Sequence, residues 1–591
     1  MKNNSTSKKF ERVYLVFAII LVLVFGVSLF WSNLKRIFRP KTIDFISSSD
    51  NLSVYTKDSI YMNTIFFSDI VGLYKIKTST GDTKELELDN AYNIFKSGNN
   101  IYYLSQKTLY RLDEITKKKE KLLDYGIESF KLYGETIIYK DELNRLYKYD
   151  IKNKKSEYII SAPNLYIVVD NKLYMYYTTK QIVERDLETD QIKTYNLNFP
   201  IRLLSYYKGY FYVINEEKSQ IVKLDREFKV IKELLTDPNL IEFLIIDERI
   251  FTLDFEKPDV CTLYSYDLDG NDKRLEKDNV YMKIFDKFII EIKGNNQYSL
   301  YDLKKKQNID LKGLKERIYT KFEIKNSRNI NGFEMTKVND VYYYRSHDEL
   351  FSYDLKSDKV NKSIAKGVEF INGFYGNVFY NKNGLLYFYD GSEKIFANLN
   401  ISDIDVEGKN MLLRTSRGIY LYNIETGQLK KIDESIIFAE LEDDKIYYIK
   451  FNSYVVLYEY DIKLNKLNEY RLNVKNLMID SFRIYKGNMI YFEYDKLYRY
   501  DIKSNKKFLV ASLTDVVPAY VENDKLYLYT IGGLNTKIYE LSLSNFKLKD
   551  LCTINKADMK GIEGFIYDRD INKLVVKYFG EDKLSFIDIK E

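Results

Sequence analysis

The stretch Leu146-Tyr-Lys-Tyr-Asp150-Ile-Lys-Asn153 decides the fold, because similar stretches recur along most of the chain. Each is a short apolar and aromatic run that continues through an acidic or polar residue into a polar turn. A period of about 40 residues with several short strands per repeat predicts the blades of a β-propeller. Fourteen residues occupy the Asp150 position of these repeats: Lys77, Asp113, Asp150, Asp186, Asp225, Asp267, Asp302, Asp354, Asp390, Asn423, Asp461, Asp501, Ser542 and Asp588.

The residue types in each repeat agree with a blade. Runs such as Ile446-Tyr-Tyr-Ile449 and Leu526-Tyr-Leu-Tyr529 are apolar at every position, as expected for strands covered on both faces. The chain contains 56 Tyr, and a tyrosine ring can pack while its hydroxyl reaches a polar partner. The recurrent Asp follows a strand, where its carboxylate can accept backbone N–H groups of the turn. We therefore predict that this Asp stabilises turns and has no metal-binding or catalytic role.

The longest interval between repeats divides the array into two halves. It is the 52 residues from Asp302 to Asp354, with seven repeats on either side. We predict an all-β protein with two tandem seven-bladed β-propellers over residues 49–318 and 319–591, and an eight-bladed plus a six-bladed ring is the alternative. The last repeat ends without a following strand. We expect Ile318–Ile324 to supply that strand.

The N-terminus has the pattern of a membrane anchor. Residues 13–34 contain no charged residue, and the 19 residues from Val13 to Trp31 would span about 28 Å as a helix. We predict an uncleaved transmembrane helix over 13–34, a cytoplasmic tail over 1–12 and a juxtamembrane linker over 35–48. The alternative is a signal peptide, whose apolar region is usually shorter.

The orientation of this helix does not follow from charge, since four basic residues lie on each side of it. We expect the N-terminus inside and the large C-terminal part extracytoplasmic, because long domains cross membranes largely regardless of charge. A cytoplasmic C-terminal part is the alternative. Residues 1–41 carry eight basic residues and one acidic residue, a charge of +7. The whole chain carries +5, so residues 42–591 carry about −2, which does not favour nucleic-acid binding.

Two scarce residue types exclude several kinds of chemistry. His347 is the single histidine, so sites with several histidine ligands are excluded. Cys261 and Cys552 are the only cysteines, too few for a zinc cluster, and we expect them not to pair with each other. We predict no metal and no cofactor. His347 falls in the link between two strands, where we expect it to be solvated.

Three other motifs have structural explanations. The segment Ser265–Glu276 has the spacing of an EF-hand loop apart from Ser265 at its first position, but its flanks read as strands rather than helices. We predict a turn there. The basic runs Lys117–Lys119 and Lys304–Lys306 follow repeat strands, and we expect them to be solvated turns.

Two features keep other functions open. Acidic pairs such as Glu440 with Glu442, and Asp568 with Asp570, are compatible with a carboxylate-dependent glycosidase. Aromatic residues expected in loops could instead form a binding surface, because aromatic residues are enriched at interfaces. These residues are Phe451, Tyr454 and Phe579.

The repeated pattern Ile-Tyr-Tyr…Leu-Tyr-x-Tyr-Asp-Ile/Leu resembles the bacterial propeller family called domain of unknown function 5050, which is related to the low-density-lipoprotein-receptor-type propeller. The resemblance covers most of residues 50–591. It implies an exported or membrane-anchored protein of low-GC Gram-positive bacteria, and it supplies no catalytic motif. Other propeller families match less well, since no Trp follows Trp31 and only one Gly-Gly pair occurs.

Together these observations favour a single-pass membrane protein with extracytoplasmic propellers. We expect it to act without catalysis, as a binding or scaffold module for a protein partner at the cell envelope, since propeller faces present broad sets of variable loops on a rigid scaffold. Binding of a cell-wall glycan and a carboxylate-dependent glycoside-active enzyme are the alternatives.

Overall fold

A computed structural model describes most of the chain after residue 44. The described residues are 45–47, 53–56, 58–66, 68–124, 126–161, 163–238, 240, 242–257, 260–280, 284–285, 288–293, 297–325, 327, 329–361, 363–434, 436–450, 456–472, 483–493, 495–522, 524–530, 535–555, 561–581 and 583–589. The predicted anchor over 13–34, Phe451 and Tyr454 lie outside them. Within these ranges, no helix has the length and apolar character needed to cross a membrane.

The described residues form fourteen antiparallel sheets, numbered 1 to 14 in chain order. Besides strands they contain one short 3-10 helix, Thr64–Phe66. The strands of sheets 1 to 7 are Ser53–Tyr55, Ser59–Asn63, Leu73–Lys77 and Thr83–Glu87; Tyr92–Ser97, Asn100–Ser105, Thr108–Asp113 and Lys119–Leu123; Ile127–Tyr133, Thr136–Asp141, Arg145–Asp150 and Lys155–Ser161; Leu165–Val169, Lys172–Tyr177, Gln181–Asp186 and Ile192–Asn196; Ile201–Tyr207, Tyr210–Asn215, Gln220–Leu224 and Val230–Thr236, joined by Phe45–Ser47; Phe243–Ile246, Arg249–Lys257, Val260–Asp267 and Arg274–Val280; Ile284–Phe285, Phe288–Lys293, Gln297–Asp302 and Gln307–Asp310.

Sheets 8 to 14 continue the series with the same meander order. Their strands are Asn329–Asn331, Met335–Val338, Val341–Ser346, Glu349–Asp354, Lys359–Val360 and Ala365–Lys366; Val368–Phe374, Asn377–Lys382, Leu385–Tyr389 and Glu393–Ala397; Ile401–Glu407, Asn410–Thr415, Gly418–Asn423 and Leu429–Glu434; Ile436–Glu442, Lys445–Lys450, Val456–Asp461 and Lys466–Arg471; Arg483–Tyr485, Asn488–Glu493, Lys496–Asp501 and Lys506–Ser512; Val516–Glu522, Lys525–Thr530, Asn535–Ser542 and Leu548–Asn555; Ile562–Asp568, Lys573–Tyr578 and Leu584–Asp588. Each of the fourteen predicted repeat positions lies at or directly after the end of a strand. The prediction of an all-β, propeller-type repeat architecture is therefore confirmed.

The repeat aspartates form the predicted turns. Asp150 Oδ1 accepts hydrogen bonds from the backbone N–H groups of Lys152 and Asn153, both at 2.9 Å. Asp354 Oδ1 accepts in the same way from Ser357 N at 2.9 Å. These backbone donors hold the pKa of both carboxyl groups below its usual value, because they stabilise the charged form. The predicted turn role of the repeat Asp is confirmed at these positions.

The two tyrosines of the repeat have separate functions in the sheet. The first stacks on an aromatic residue directly opposite it on the preceding strand. In sheet 3 the rings of Tyr139 and Tyr147 lie 5.1 Å apart with planes inclined by 13°. The second tyrosine reaches into the turn, as where the Tyr500 hydroxyl donates to the Asn505 side chain. Cross-strand aromatic pairs stabilise sheets, which explains the abundance of tyrosine.

Contacts divide the chain into two compact units. Unit 1 comprises Met1–Val54 and Asn93–Tyr281, and it therefore holds sheets 2 to 6 and the strand Phe45–Ser47. Unit 2 comprises Tyr55–Tyr92 and Met282–Glu591, with sheet 1 and sheets 7 to 14. These divisions differ from the predicted domain limits of 49–318 and 319–591 in the placement of sheets 1 and 7. The predicted propeller limits stay a prediction.

Within unit 2, sheets far apart in sequence are joined. Sheets 8 and 14 contact each other where Phe333 and Phe565 exchange two backbone hydrogen bonds of 2.9 Å. Sheet 1 and the segment directly after sheet 7 meet where Thr83 N donates to Lys312 O at 2.9 Å and Lys312 N donates to Gly81 O at 2.8 Å. Contacts of this kind between the first and last sheets of a series are what closure of a ring requires.

The expected role of Ile318–Ile324 is wrong. This segment was predicted to complete the last sheet, but Ile318 forms a bridge with Ala397 at the end of sheet 9. The Phe322 ring then packs in an aromatic cluster, 5.0 Å from the ring of Phe379. Burial of this ring against sheet 9 takes the segment away from sheet 14, which has three strands among the residues described.

Candidate functional site

The acidic residues on the first strands of sheets 10 and 11 connect neighbouring sheets of unit 2. We call Asp405, Glu440 and Glu442 the inner-strand carboxylates, because the first strands of successive sheets contact one another. Asp405 Oδ2 accepts a hydrogen bond from Leu441 N of the next sheet at 2.9 Å. Glu440 accepts likewise from Ile484 N. Each carboxylate therefore ties its own sheet to the one that follows.

A third such contact belongs to Glu442, which accepts from Lys486 N in the hairpin after the first strand of sheet 12. Asp405 and Glu440 occupy equivalent places, each two residues before the end of its strand. In both sheets, the side chain two residues before the end of the first strand therefore joins its sheet to the next one. The sequence pair Glu440 and Glu442 was recognised, but its partners on the next sheet lie more than 40 residues away.

Burial controls the electrostatics of this group. Loss of solvation raises the pKa of Asp405 to about 6 and that of Glu440 to about 8. The negative charge of Asp405 further raises the pKa of Glu440, whereas Arg483, with its Nε 3.4 Å from Glu440 Oε1, opposes the rise. Burial also raises the pKa of Glu442. At neutral pH Glu440 is therefore mostly protonated and Asp405 mostly ionised.

This arrangement can hold and donate a proton. One protonated and one ionised carboxyl group close together is the pattern that enzymes use for acid–base chemistry. Here, however, Asp405 and Glu440 also have structural partners, the backbone N–H groups of Leu441 and Ile484. The same contacts that desolvate the two carboxyl groups join the sheets.

The second acidic pair noted in the sequence lies at the junction of sheets 8 and 14. Asp568 is fully buried and its Oδ2 lies 2.5 Å from Lys337 Nζ, itself 4% exposed. The Tyr342 hydroxyl donates to the same carboxylate. Asp570 Oδ2 lies 3.6 Å from the same Lys337 Nζ. The pair therefore forms a buried ion-pair network between the two sheets.

His347 lies where the sequence predicts, in the hairpin between Val341–Ser346 and Glu349–Asp354, and its side chain is exposed. Its Nδ1 is 3.4 Å from Ser346 Oγ. Its backbone N–H donates to Glu563 Oε1 at 2.7 Å. The contact to sheet 14 is therefore made by the backbone of His347 and not by its ring.

The segment with EF-hand spacing forms a strand-flanked turn. Asp267 Oδ1 accepts from Asp269 N at 3.0 Å and from Asn271 N at 2.8 Å. Ser265 Oγ donates to Glu276 Oε1 at 2.5 Å. The prediction of a turn is confirmed here. Across the part of the chain that the structure describes, no group of three or more acidic, His or Cys side chains has the arrangement of a metal site.

The remaining predicted residues are distributed over the surface and the core. Lys117 and Lys306 both have positive φ, and Lys304–Lys306 forms a turn as predicted. In the other basic run Lys117 and Lys118 precede a strand and Lys119 is already its first residue, so the predicted turn is confirmed there only in part. Phe579 is an exposed aromatic residue in the link before the last strand. Cys552 is a free thiol whose pKa burial raises to about 11, which makes it a weak nucleophile at neutral pH.

Exposed apolar side chains on outer strands were not recognised in the sequence. The fourth strands of sheets 3 to 6 in unit 1 each carry at least one large apolar residue that is about half exposed or more. We call these residues the outer-strand apolar residues: Tyr158, Ile192, Val230, Ile231 and Leu275. Their signal is weak because charged residues surround them, as in Lys155-Ser-Glu-Tyr158. Each could be recognised only once its strand is known to lie at the edge of a sheet.

No family model matches the sequence, and no curated protein matches it. Among solved structures, it is similar to the tricorn protease, with 15% identity, a TM-score of 0.32, and coverage of 85% of this chain and 62% of that chain. The chain thus spans less than two thirds of that protein.

Two bacterial surface proteins show a comparable likeness. One is the extracellular domain of a one-component system from B. thetaiotaomicron, with 10% identity, a TM-score of 0.32, and coverage of 94% of this chain and 82% of that chain. The other is PorZ, a surface component of the type-IX secretion system of Porphyromonas gingivalis, with 11% identity, a TM-score of 0.31, and coverage of 92% and 87%. At these scores the architecture rests on the geometry above, which defines an all-β, propeller-type repeat protein.

Proposed function

We propose that this chain is a membrane-anchored, extracytoplasmic protein of two tandem seven-bladed β-propellers that binds a protein partner at the cell envelope without catalysis. Residues 13–34 supply the anchor in this proposal. Sheets 1 to 7 and sheets 8 to 14 supply the two rings. The contacts of sheet 1 with sheet 7 and of sheet 8 with sheet 14 support this division, because a ring needs its first and last blades to meet.

The observation that carries the binding role is the set of outer-strand apolar residues. Single exposed apolar residues are common on protein surfaces, but here they recur on the fourth strands of four successive sheets, and exposed edge strands are prone to pair with other chains. Ile192 at 61% exposure and Leu275 at 56% are the most exposed of the set. Edge strands with exposed apolar groups fit a protein partner better than a glycan, whose recognition needs polar groups.

The absence of catalysis in the proposal rests on how the acidic residues are used. The repeat aspartates accept bonds within their own turns, as Asp150 does. The inner-strand carboxylates accept bonds from the next sheet, and Asp568 is fixed by Lys337 and Tyr342. These side chains therefore have structural partners that account for their placement.

Isolation of the full-length chain from membranes tests the binding role. We expect a protein that co-purifies with the wild type, in stoichiometric amount, to be lost from the Ile192→Glu and Leu275→Glu variants. Replacing a large apolar side chain with a charged one removes apolar contact area from this surface. The matched control is Thr194→Glu, which adds the same charge to an exposed position two residues further along the strand of Ile192.

Equal recovery of the partner with all three variants would place the binding surface elsewhere. Recovery of no specific protein with the wild type, together with retention on purified cell-wall glycan, would favour the glycan alternative. Fractionation of the same cells tests the anchor, because a chain with a transmembrane helix stays with the membranes in alkaline carbonate.

A second candidate function is glycoside hydrolysis, which the paired carboxyl groups Glu440 and Asp405 favour. A carboxyl group that keeps its proton at neutral pH can act as a general acid beside an ionised neighbour. Hydrolysis of wall-derived oligosaccharides by the wild type and its loss in Glu440→Gln would support this function. Activity unchanged in Glu440→Gln would exclude Glu440 as the acid.

A further inference from the structure

Sheets 2 to 6 of unit 1 expose two opposite sets of loops. We call the first set the entry face: it contains the hairpins between first and second strands and the turns between third and fourth strands. The second set, the opposite face, contains the hairpins between second and third strands. The two sets lie at opposite ends of the strands, because each sheet is an antiparallel meander.

Polar contacts between neighbouring sheets show that all five sheets point the same way. On the entry face these contacts run from sheet 2 to sheet 6 without a break. They are Lys154 with Glu120 at 2.8 Å, Lys148 with the Leu187 carbonyl at 3.0 Å, Arg226 with Asp170 at 3.4 Å, and Lys208 with Glu248. Contacts on the opposite face join Lys107 with Glu142 at 2.6 Å and Lys180 with Glu217 at 3.0 Å. The entry face is therefore a continuous surface across sheets 2 to 6, and the opposite face lies at the other end of the same strands.

The N-terminal strand Phe45–Ser47 fixes where the preceding chain arrives. It pairs antiparallel with the first strand of sheet 5, with Ser47 opposite Ser205 and Phe45 opposite Tyr207. Tyr207 is the last residue before the first hairpin of sheet 5, which belongs to the entry face. Residues before Phe45 therefore meet unit 1 at its entry face.

The length of chain before Phe45 limits how far this face can lie from the anchor. Residues 35–44 are ten residues, and a fully extended chain of that length reaches about 35 Å at most. Four of these residues are basic: Lys35, Arg36, Arg39 and Lys41. Basic residues beside a membrane span are attracted to anionic headgroups.

We infer that the entry face of unit 1 lies against the lipid bilayer and leaves the opposite face accessible. The inference rests on the anchor of the proposed function. The turn of sheet 2 on the entry face agrees with it, since Ile115 is 72% exposed and the exposed Lys117 and Lys118 follow. An apolar side chain beside basic ones suits the boundary between headgroups and acyl chains.

Cysteine labelling of the full-length chain in reconstituted anionic vesicles tests this inference. Two matched pairs of positions are available, in a Cys261→Ser/Cys552→Ser background. Thr189 and Thr179 are exposed threonines of sheet 4 on the entry face and the opposite face, respectively. Ile115 and Leu143 are apolar residues of sheets 2 and 3, with exposures of 72% and 68%, on the entry and opposite faces.

We expect a bulky maleimide to react severalfold more slowly with Thr189→Cys and Ile115→Cys in vesicles than in detergent. The rates for Thr179→Cys and Leu143→Cys should change little. A fluorophore at position 115 should also be quenched by nitroxide-labelled lipids, whereas one at position 143 should not. Equal rates in detergent show that each variant is folded and reactive.

The outcomes separate this inference from the anchor on which it rests. Shielding of the entry-face positions alone supports it. Equal labelling of both members of each pair, or shielding of positions 179 and 143, overturns it while the chain still sediments with the vesicles. A chain that does not stay with the vesicles in alkaline carbonate overturns the anchor and the inference together.

Discussion

Two groups of carboxylates in this chain accept backbone hydrogen bonds, yet their pKa values shift in opposite directions. Asp150 accepts from residues two and three positions ahead in its own turn, and its pKa lies below the usual value. Asp405 accepts from Leu441 on the next sheet, and burial raises its pKa to about 6. The difference teaches that access to water, rather than the acceptance of backbone hydrogen bonds, decides the direction of the pKa shift here.

The largest expected effect concerns the most deeply buried carboxylate, Asp568. Replacing its partner in Lys337→Ala leaves a buried charge without a cationic partner, with the Tyr342 hydroxyl and the Asp570 backbone N–H as its donors, and breaking a buried pair costs about 3–5 kcal/mol. We expect a large fall in the thermal midpoint of the unit that contains sheets 8 to 14, measured by differential scanning fluorimetry on the full chain in detergent. The thermal midpoint of the double variant Lys337→Met/Asp568→Leu should fall less, since this variant buries no unpaired charge. A single variant as stable as the wild type would mean that this ion pair does not hold the two sheets together.

An intermediate effect is expected from pH at Glu440. Its folded pKa of about 8 exceeds its ordinary value of 4.5, so the folded state keeps a proton that the unfolded state releases. Stability is therefore lost as pH rises from about 4.5 to about 8. Each unit of pKa difference corresponds to about 1.4 kcal/mol, so we expect a loss on the order of 2–4 kcal/mol between pH 5 and pH 9.

The variant Glu440→Gln isolates this effect. Its amide oxygen can still accept from Ile484 N, but it carries no charge at any pH. We expect it to match the wild type at pH 5 and to unfold at higher temperature at pH 9. Asp150→Asn is the control, because Asp150 is ionised throughout this range and its replacement should leave the pH dependence unchanged. Identical pH profiles for wild type and Glu440→Gln would contradict the raised pKa.

The smallest effect is expected at the turns. Asp150→Ala removes three hydrogen bonds from an exposed turn, where water replaces them, so the midpoint should fall only slightly. The effect should disappear in strong acid, because the lowered pKa means that this contribution is present above the ordinary pKa and lost as pH falls through the folded value. If Asp150→Ala lowered the thermal midpoint as much as Lys337→Ala does, the turn aspartates and the buried carboxylates would not differ in their contribution to stability.

The same comparison explains what the sequence could predict. The turn of Asp150 is local, so both the aspartate and the strand before it can be recognised within one repeat. The stacked pair of Tyr139 and Tyr147 is likewise formed within one hairpin. Repetition then extended these local predictions to fourteen sheets.

Contacts between sheets could not be predicted from the sequence pattern. Glu440 was recognised only as a member of an acidic pair with Glu442, and its structural role was not, because its partner Ile484 lies on another sheet. Phe322 was assigned to the wrong sheet for a similar reason: several sheets offer an apolar surface, and the sequence pattern does not rank them. The outer-strand apolar residues required knowledge of which strands are edges.

The most direct test of the account is photo-crosslinking in intact bacteria from positions 192 and 194 on one outer strand. A photoreactive residue at either position is exposed, but Ile192 belongs to the outer-strand apolar residues and Thr194 does not. We expect one recurrent protein partner, which crosslinks strongly from position 192 and weakly from position 194. Crosslinks from both positions to wall material alone, or to no consistent protein, would contradict the proposed binding role.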